Sequence, residues 1–192
     1  MSVKERAREL SRRLSSTFSD ISFPIVYREF REQSVTPVSG TVTDMYIDIY
    51  TRAYQQDISM REMALSAGVI EQGDIIFRIT EDKLTPRSEE DKVYKGNYYW
   101  GKVAVDASAT KVVGSSVDWG KIEPGDYIRF GGQGTFHRIA SVVNANSQIN
   151  LSESYTNSNI SDATYYVYRE YQVIGWEGIM SRAEWRIQGR KI

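Results

Sequence analysis

The chain contains no cysteine in its 192 residues. Disulfides, thiolate metal sites and cysteine nucleophiles are therefore excluded together. Histidine is almost as scarce: the single one, His137, lies in Thr135-Phe136-His137-Arg138-Ile139. That stretch reads as a strand, and no Asp or second His stands beside it to build a proton relay. A structural or surface role is the better reading. Net charge is −1, which leaves no overall field to draw the protein onto nucleic acid or an anionic membrane. No apolar run approaches the roughly 20 residues that a membrane span needs. The amino end, Met1-Ser2-Val3-Lys4-Glu5-Arg6, is polar and lacks the apolar segment of a signal peptide, so a soluble protein is expected.

Reactive constellations are missing as well. No acidic cluster has calcium-loop spacing. Gly131-Gly132-Gln133-Gly134 does not stand between a strand and a helix, so it reads as a strand–strand turn and not as a phosphate cradle. The expectation is a protein with no catalytic residues, no cofactor and no metal, and not an enzyme.

What is present is aromatic surface and a repeat. Aromatic residues make up 12% of the chain, with 13 Tyr and 4 Trp; both suit strands and interfaces, because they bury large area and keep a polar tip. Ile70-Glu71-Gln72-Gly73-Asp74-Ile75-Ile76 returns as Ile122-Glu123-Pro124-Gly125-Asp126-Tyr127-Ile128. Each copy reads as a tight Gly-Asp turn feeding an apolar strand, with the Asp side chain hydrogen-bonding local backbone. Two small β-units entered by the same kind of turn are expected.

Along the chain, Val3, Ala7, Leu10, Leu14 and Phe18 fall at helical spacing, which predicts an amphipathic helix over 2–19. Leu10, Leu14 and Phe18 either pack on the chain's own barrel or dock on a partner. Residues 25–30 and 42–54 read as strands, the second with Met45, Ile47 and Ile49 on one face and Tyr46, Asp48, Tyr50 and Arg52 on the other. A short helix is expected over 59–67. Residues 84–97 form the charged linker or loop that separates the domains, in a stretch whose charge and Pro86 begin at Glu81. Beyond it, short apolar runs are separated by Ser, Thr, Asn and Gly, the pattern of a small antiparallel barrel or sandwich. The last stretch returns to the style of the first.

The fold class is therefore mainly β. Residues 1–83 plus 170–192 form a discontinuous host barrel or sandwich carrying the amino-terminal α-helix, and residues 98–169 form an inserted second small β-domain. In the final strand Arg186, Gln188 and Arg190 share a face, with Lys191 beside them. They read either as a charge-guarded strand edge or as a non-specific contact with a phosphate backbone.

Residues 103–119, which end Val117-Asp118-Trp119, are followed by the Ile122–Ile128 phrase and by Thr135-Phe136-His137-Arg138-Ile139-Ala140-Ser141-Val142. Together with Ser147-Gln148-Ile149-Asn150-Leu151 and Ser154-Tyr155, they resemble a β-module of tailed-bacteriophage structural proteins. The flanking host region is similar in layout to phage head-closure or head–tail connector (neck) proteins. The resemblance implies a homo-oligomeric ring at the neck of the virion, assembled in the host bacterial cytoplasm. Its partners would be the portal or head–tail adaptor on one side and the tail terminator or tail tube protein on the other. It would help retain packaged DNA, touching it non-specifically through Arg186, Arg190 and Lys191. Tyr50, Trp100 and Trp176 would anchor interfaces, and the segment at 81–97 would order on assembly. The alternatives are another virion part (tail, baseplate or capsid decoration) or a non-phage β-module binding carbohydrate or single-stranded nucleic acid.

Overall fold

The computed structural model describes Glu5 and residues 22–35, 42–56, 58, 71, 74–79, 84–179 and 184–192. The helices expected over 2–19, with Leu10, Leu14 and Phe18, and over 59–67 lie outside the described residues. The described chain is mainly β. Its strands are β1 (Phe23–Val35), β2 (Val42–Gln56), β3 (Ile75–Ile79), β4 (Lys92–Tyr98), β5 (Lys102–Val105), β6 (Lys111–Ser115), β7 (Tyr127–Phe130), β8 (His137–Asn144), β9 (Gln148–Leu151), β10 (Ile160–Ala163), β11 (Tyr165–Ile179) and β12 (Glu184–Lys191). The described pairings are antiparallel. The chain divides into two compact units, Met1–Lys95 with Glu170–Ile192, and Gly96–Arg169.

In the first unit the strands follow the order β11-β12-β3-β2-β1-β4, and β4 pairs in turn with β11. The ring is therefore closed, which removes the open edges of a flat sheet. At the closure the Val173 N–H donates to the Asp91 carbonyl at 3.1 Å. Alternation fills the interior: in β12 Trp185 and Ile187 point in while Arg186, Gln188 and Arg190 point out. The core joins Ile25, Tyr27, Ala53, Phe77, Ile79, Val93, Val173 and Ile187. Phe77 meets Phe23 and Tyr171 edge-on, at 6.2 and 5.3 Å between ring centres. Gly189 makes this possible, since a Cβ there would lie 2.8 Å from the Phe77 ring.

The second unit has the order β10-β5-β6-β9-β8-β7 and then the Tyr165–Tyr168 part of β11. Its separate core is built on Val103, Val112, Trp119, Ile128, Phe130, Ile149 and Tyr165. Trp119 is fully buried, and its indole N–H donates to the Tyr165 hydroxyl at 2.8 Å, so the one polar atom of the ring is satisfied. Gly114 clears room for it, because a Cβ there would come 2.7 Å from the indole.

The segment at 84–97 is not the charged linker expected from composition. Leu84 and Asp91 are buried, and residues from Lys92 onward are β4, where Val93 and Tyr94 face inward or are covered. Charge misled here because Asp91, the last residue of the acidic run, is consumed inside the fold. The last stretch is built from β11, a 15-residue strand that starts at Tyr165, and from β12.

Candidate interaction surfaces

The repeated phrase builds one device twice. The Asp74 N–H donates to the Glu71 carbonyl at 3.2 Å and the Glu71 N–H donates back to Asp74 Oδ2 at 2.8 Å. In the second copy the Asp126 N–H reaches Glu123 O at 3.1 Å, and the Glu123 N–H reaches Asp126 Oδ2 at 2.9 Å. Each buried carboxylate is then gripped from a remote strand by a two-pronged guanidinium. Arg190 holds Asp74 at 3.0 and 2.9 Å, and Arg169 holds Asp126 at 2.9 and 2.9 Å. Each Arg also meets the turn's Glu: Arg190 lies 3.2 Å from Glu71 and Arg169 lies 3.3 Å from Glu123. Burial alone would raise the Asp74 pKa, but the hydrogen bonds from Arg190 and the Glu71 N–H outweigh it and hold the carboxyl below its usual range.

A third turn follows the same plan without a resembling sequence. The Asp91 N–H donates to Ser88 O at 3.2 Å and the Ser88 N–H returns to Asp91 Oδ2 at 3.3 Å. Here the clamp is not an Arg. Asp91 accepts from the Tyr27 hydroxyl at 2.6 Å and from the Phe30 and Arg87 N–H groups at 2.7 and 3.1 Å. Burial, reinforced by Asp91, raises the Tyr27 pKa, so its hydroxyl stays protonated and donating. These turns hold the strands that present the surfaces described next.

On the first unit, the outer face of β1, β2 and β4 carries an aromatic and cationic cluster. Arg28 grips Asp48 with two hydrogen bonds, of 2.7 and 3.0 Å, and lies over the rings of Tyr94 (4.9 Å) and Tyr46 (5.8 Å). Phe30 packs edge-on against Tyr46 at 5.6 Å. Tyr50, expected as an anchor, is on this face and half exposed. Past the register Arg28↔Lys92, β1 continues to Val35 opposite β2, and there Val35, Val42, Met45 and Ile47 are exposed. The alternation of Met45, Ile47 and Ile49 holds, but only Ile49 reaches the core. Trp176 on β11 is partly exposed. Tyr, Trp and Arg on a braced backbone are the composition of interface hot spots.

The basic strand is less available than its sequence implies. Arg190 is committed to Asp74 and Glu71, and Arg186 pairs with Glu177 at 2.9 Å. Lys191 is exposed beside them.

On the second unit Trp100 is 80% exposed. A cavity of about 390 Å³ is lined by Tyr127, Thr135, Phe136, His137, Arg138, Ser152, Glu153, Ser154 and Thr156. His137 is wedged between Phe130 and Tyr155, at 5.5 and 5.3 Å, and its Nε2 is buried with no hydrogen-bond partner. Burial lowers its pKa, partly offset by Glu153. Among the described residues no group of three or more His, Asp or Glu side chains could hold a metal ion, and no helix is long and apolar enough to cross a membrane.

Sequence reasoning named Tyr50, Trp100 and Trp176, which the fold leaves at least partly exposed, and it missed the Arg28 cluster, the arginine clamps and the cavity. Arg190 is 116 residues from Asp74 and Arg169 is 43 from Asp126, so no local spacing announces them. No protein-family profile and no curated protein matches this chain.

Proposed function

We propose that the chain is a structural protein of a tailed-phage virion, forming a homo-oligomeric ring at the neck between the portal or head–tail adaptor and the tail terminator or tail tube. Its chemistry is association, not catalysis. The observation that carries the reading is the run from 103 to 155 and its resemblance to a phage structural β-module. The Arg28–Tyr46–Tyr94 cluster and the exposed Tyr50, Trp100 and Trp176 support it as surfaces for partners. In this reading the amino-terminal residues 2–19 are a docking α-helix, with Leu10, Leu14 and Phe18 as its apolar stripe. The protein resides in the virion after assembly in the bacterial cytoplasm. Packaged DNA passes near the basic strand, where Lys191 and the outward side of Arg186 give non-specific contact.

Deleting the gene from the phage that carries it tests the reading. DNA-leaking or emptied heads beside free, complete tails in negative-stain micrographs are expected. Normally joined particles, or heads without any tails, would move the protein to capsid decoration or tail assembly. A carbohydrate-binding module is the second reading, favoured by the hydroxyl-rich cavity beside His137. Sugar binding by the free monomer on a glycan array, with joined particles in the deletion, would select it.

A further inference from the structure

Two features of the second unit fit one another. Trp100 is the most exposed large apolar residue described, at 80%. It stands on the turn between β4 and β5, and that turn is fixed. Gly101 has φ +96°, and a Cβ on it would lie 2.5 Å from the Ser115 and Ser116 carbonyl oxygens. The Tyr165 hydroxyl donates to the Trp100 carbonyl at 3.1 Å. The indole is thus held outward on a rigid base, with its area left in water.

The second feature is the cavity of about 390 Å³, near the lower end of ligand-sized pockets and suited to one large side chain. Its wall offers the rings of Tyr127, Phe136 and His137, the guanidinium of Arg138, and the carboxylate of Glu153. A ring face for Arg138 and an acceptor for an indole N–H are what a tryptophan needs on desolvation. The wall is itself braced: Phe136 packs edge-on against Tyr168 at 5.0 Å, beneath Arg129 at 5.7 Å.

The registers place knob and hole at opposite ends of the unit. Lys102 opposite Ser115 and Asn144 opposite Gln148 bring together the start of β5, the end of β6, the start of β9 and the end of β8. Val105 opposite Val112 and Ile139 opposite Leu151 define the other end. Trp100 precedes β5 at the first end; residues 135–138 and 152–156 border the second. Within one copy they therefore border different ends of the β5-β6-β9-β8 strands.

We propose that Trp100 of one copy fills this cavity of the next copy of the same chain. Such a contact is heterologous: a linear series ends in an unfilled hole on one side and an uninserted Trp100 on the other, so it closes only by rotation into a ring. Ring closure rests on the neck reading above, whereas the contact itself belongs to the isolated protein.

The test replaces Trp100 with p-benzoylphenylalanine in the full chain and irradiates a mixture of ¹⁵N-labelled and unlabelled protein. Crosslinked peptides joining labelled to unlabelled copies at 135–138 or 152–156 are expected. Sedimentation velocity supplies the second readout. Trp100→Ala should weaken self-association by about 30-fold or more, the loss typical of a central aromatic anchor. Ser154→Trp, which fills the hole, should weaken it equally. Mixed together, these two variants retain one good knob and one good hole, and should form a dimer that grows no further. Crosslinks elsewhere, crosslinks only within a copy, no crosslinks, or wild-type association by Trp100→Ala would each overturn the proposal. Neck-deficient particles with crosslinks elsewhere would sink the contact and leave the ring standing. The expected crosslinks with normally joined particles would do the reverse.

Discussion

At the scale of single residues, buried acids carry the organisation of this protein. Asp91 is fully buried and accepts from Tyr27, Phe30, Arg87 and Ser88. Truncating it leaves four donors facing a space that water cannot readily reach, and each unpaired buried group costs about 1–3 kcal/mol. Asp91→Ala should therefore destabilise the first unit by about 3–5 kcal/mol in urea unfolding, allowing for partial relaxation. A loss below about 1 kcal/mol would show that the four bonds are not made together. His137 gives a pH dependence of the same sign as Asp74, but in a higher pH window. Burial keeps its folded pKa below the ordinary 6.5, so the unfolded chain binds the proton more readily. Stability is then full above the ordinary value and falls as pH drops from about 6.5 towards the depressed folded pKa. Asp74, held low, contributes stability above the ordinary carboxylate pKa and loses it only at far lower pH. Urea midpoints of the second unit between pH 8 and 5 should fall on acidification, and His137→Gln should flatten that slope. An unchanged slope would assign the effect to other groups.

At the scale of elements, the β1–β2 ribbon differs from the rest of its unit. β4 pairs with β1 only over Ile25–Arg28, and β3 pairs with β2 only over Ala53–Gln56, among the described residues. Past Phe30, whose N–H is held by Asp91, the described ribbon pairs only with itself, and two strands alone are marginal in water. Its amides from Glu32 to Val35 and from Val42 to Met45 should exchange with solvent at least about a hundredfold faster than those of Tyr27 and Phe77. Hydrogen-exchange mass spectrometry reads this directly, and equal protection would mean that the ribbon is part of the cooperative unit. Why the sequence revealed some of these elements and concealed others follows from where their partners lie. The Gly-Asp phrases were legible because their hydrogen bonds close within four residues. The alternation of β12 was legible because one side of a strand is a local property. The third turn was not, since Ser88-Glu89-Glu90-Asp91 lacks glycine and reads as solvated charge. The extent of β1 and β2 was hidden too. Val35 and Met45 are apolar residues that the fold leaves exposed, and no pattern rule separates them from core residues such as Ile25. The Arg28 cluster combines three strands, so only tertiary structure assembles it.

At the scale of the whole molecule, the two hydrophobic clusters share no residue: Ile25, Phe77 and Ile187 belong to one, and Val112, Trp119 and Ile149 to the other. Composition set the inserted module at 98–169, and the contact-defined second unit is Gly96–Arg169. Separate cores imply that a cavity cut in one is felt first by its own strands, because lost dispersion and transfer energy act on the residues lining the void. Phe77→Ala removes a fully buried ring from the first core and should cost about 3–5 kcal/mol. Ile149→Ala does the same in the second core, at about 2–5 kcal/mol. Amide exchange under native conditions distinguishes the units. Phe77→Ala should accelerate exchange in β1, β2, β3 and β12, and leave β6, β8 and β9 at wild-type rates. Ile149→Ala should give the converse, and the double variant should show the sum of the two patterns. If either substitution speeds exchange equally across all twelve described strands, the two cores unfold as one cooperative body.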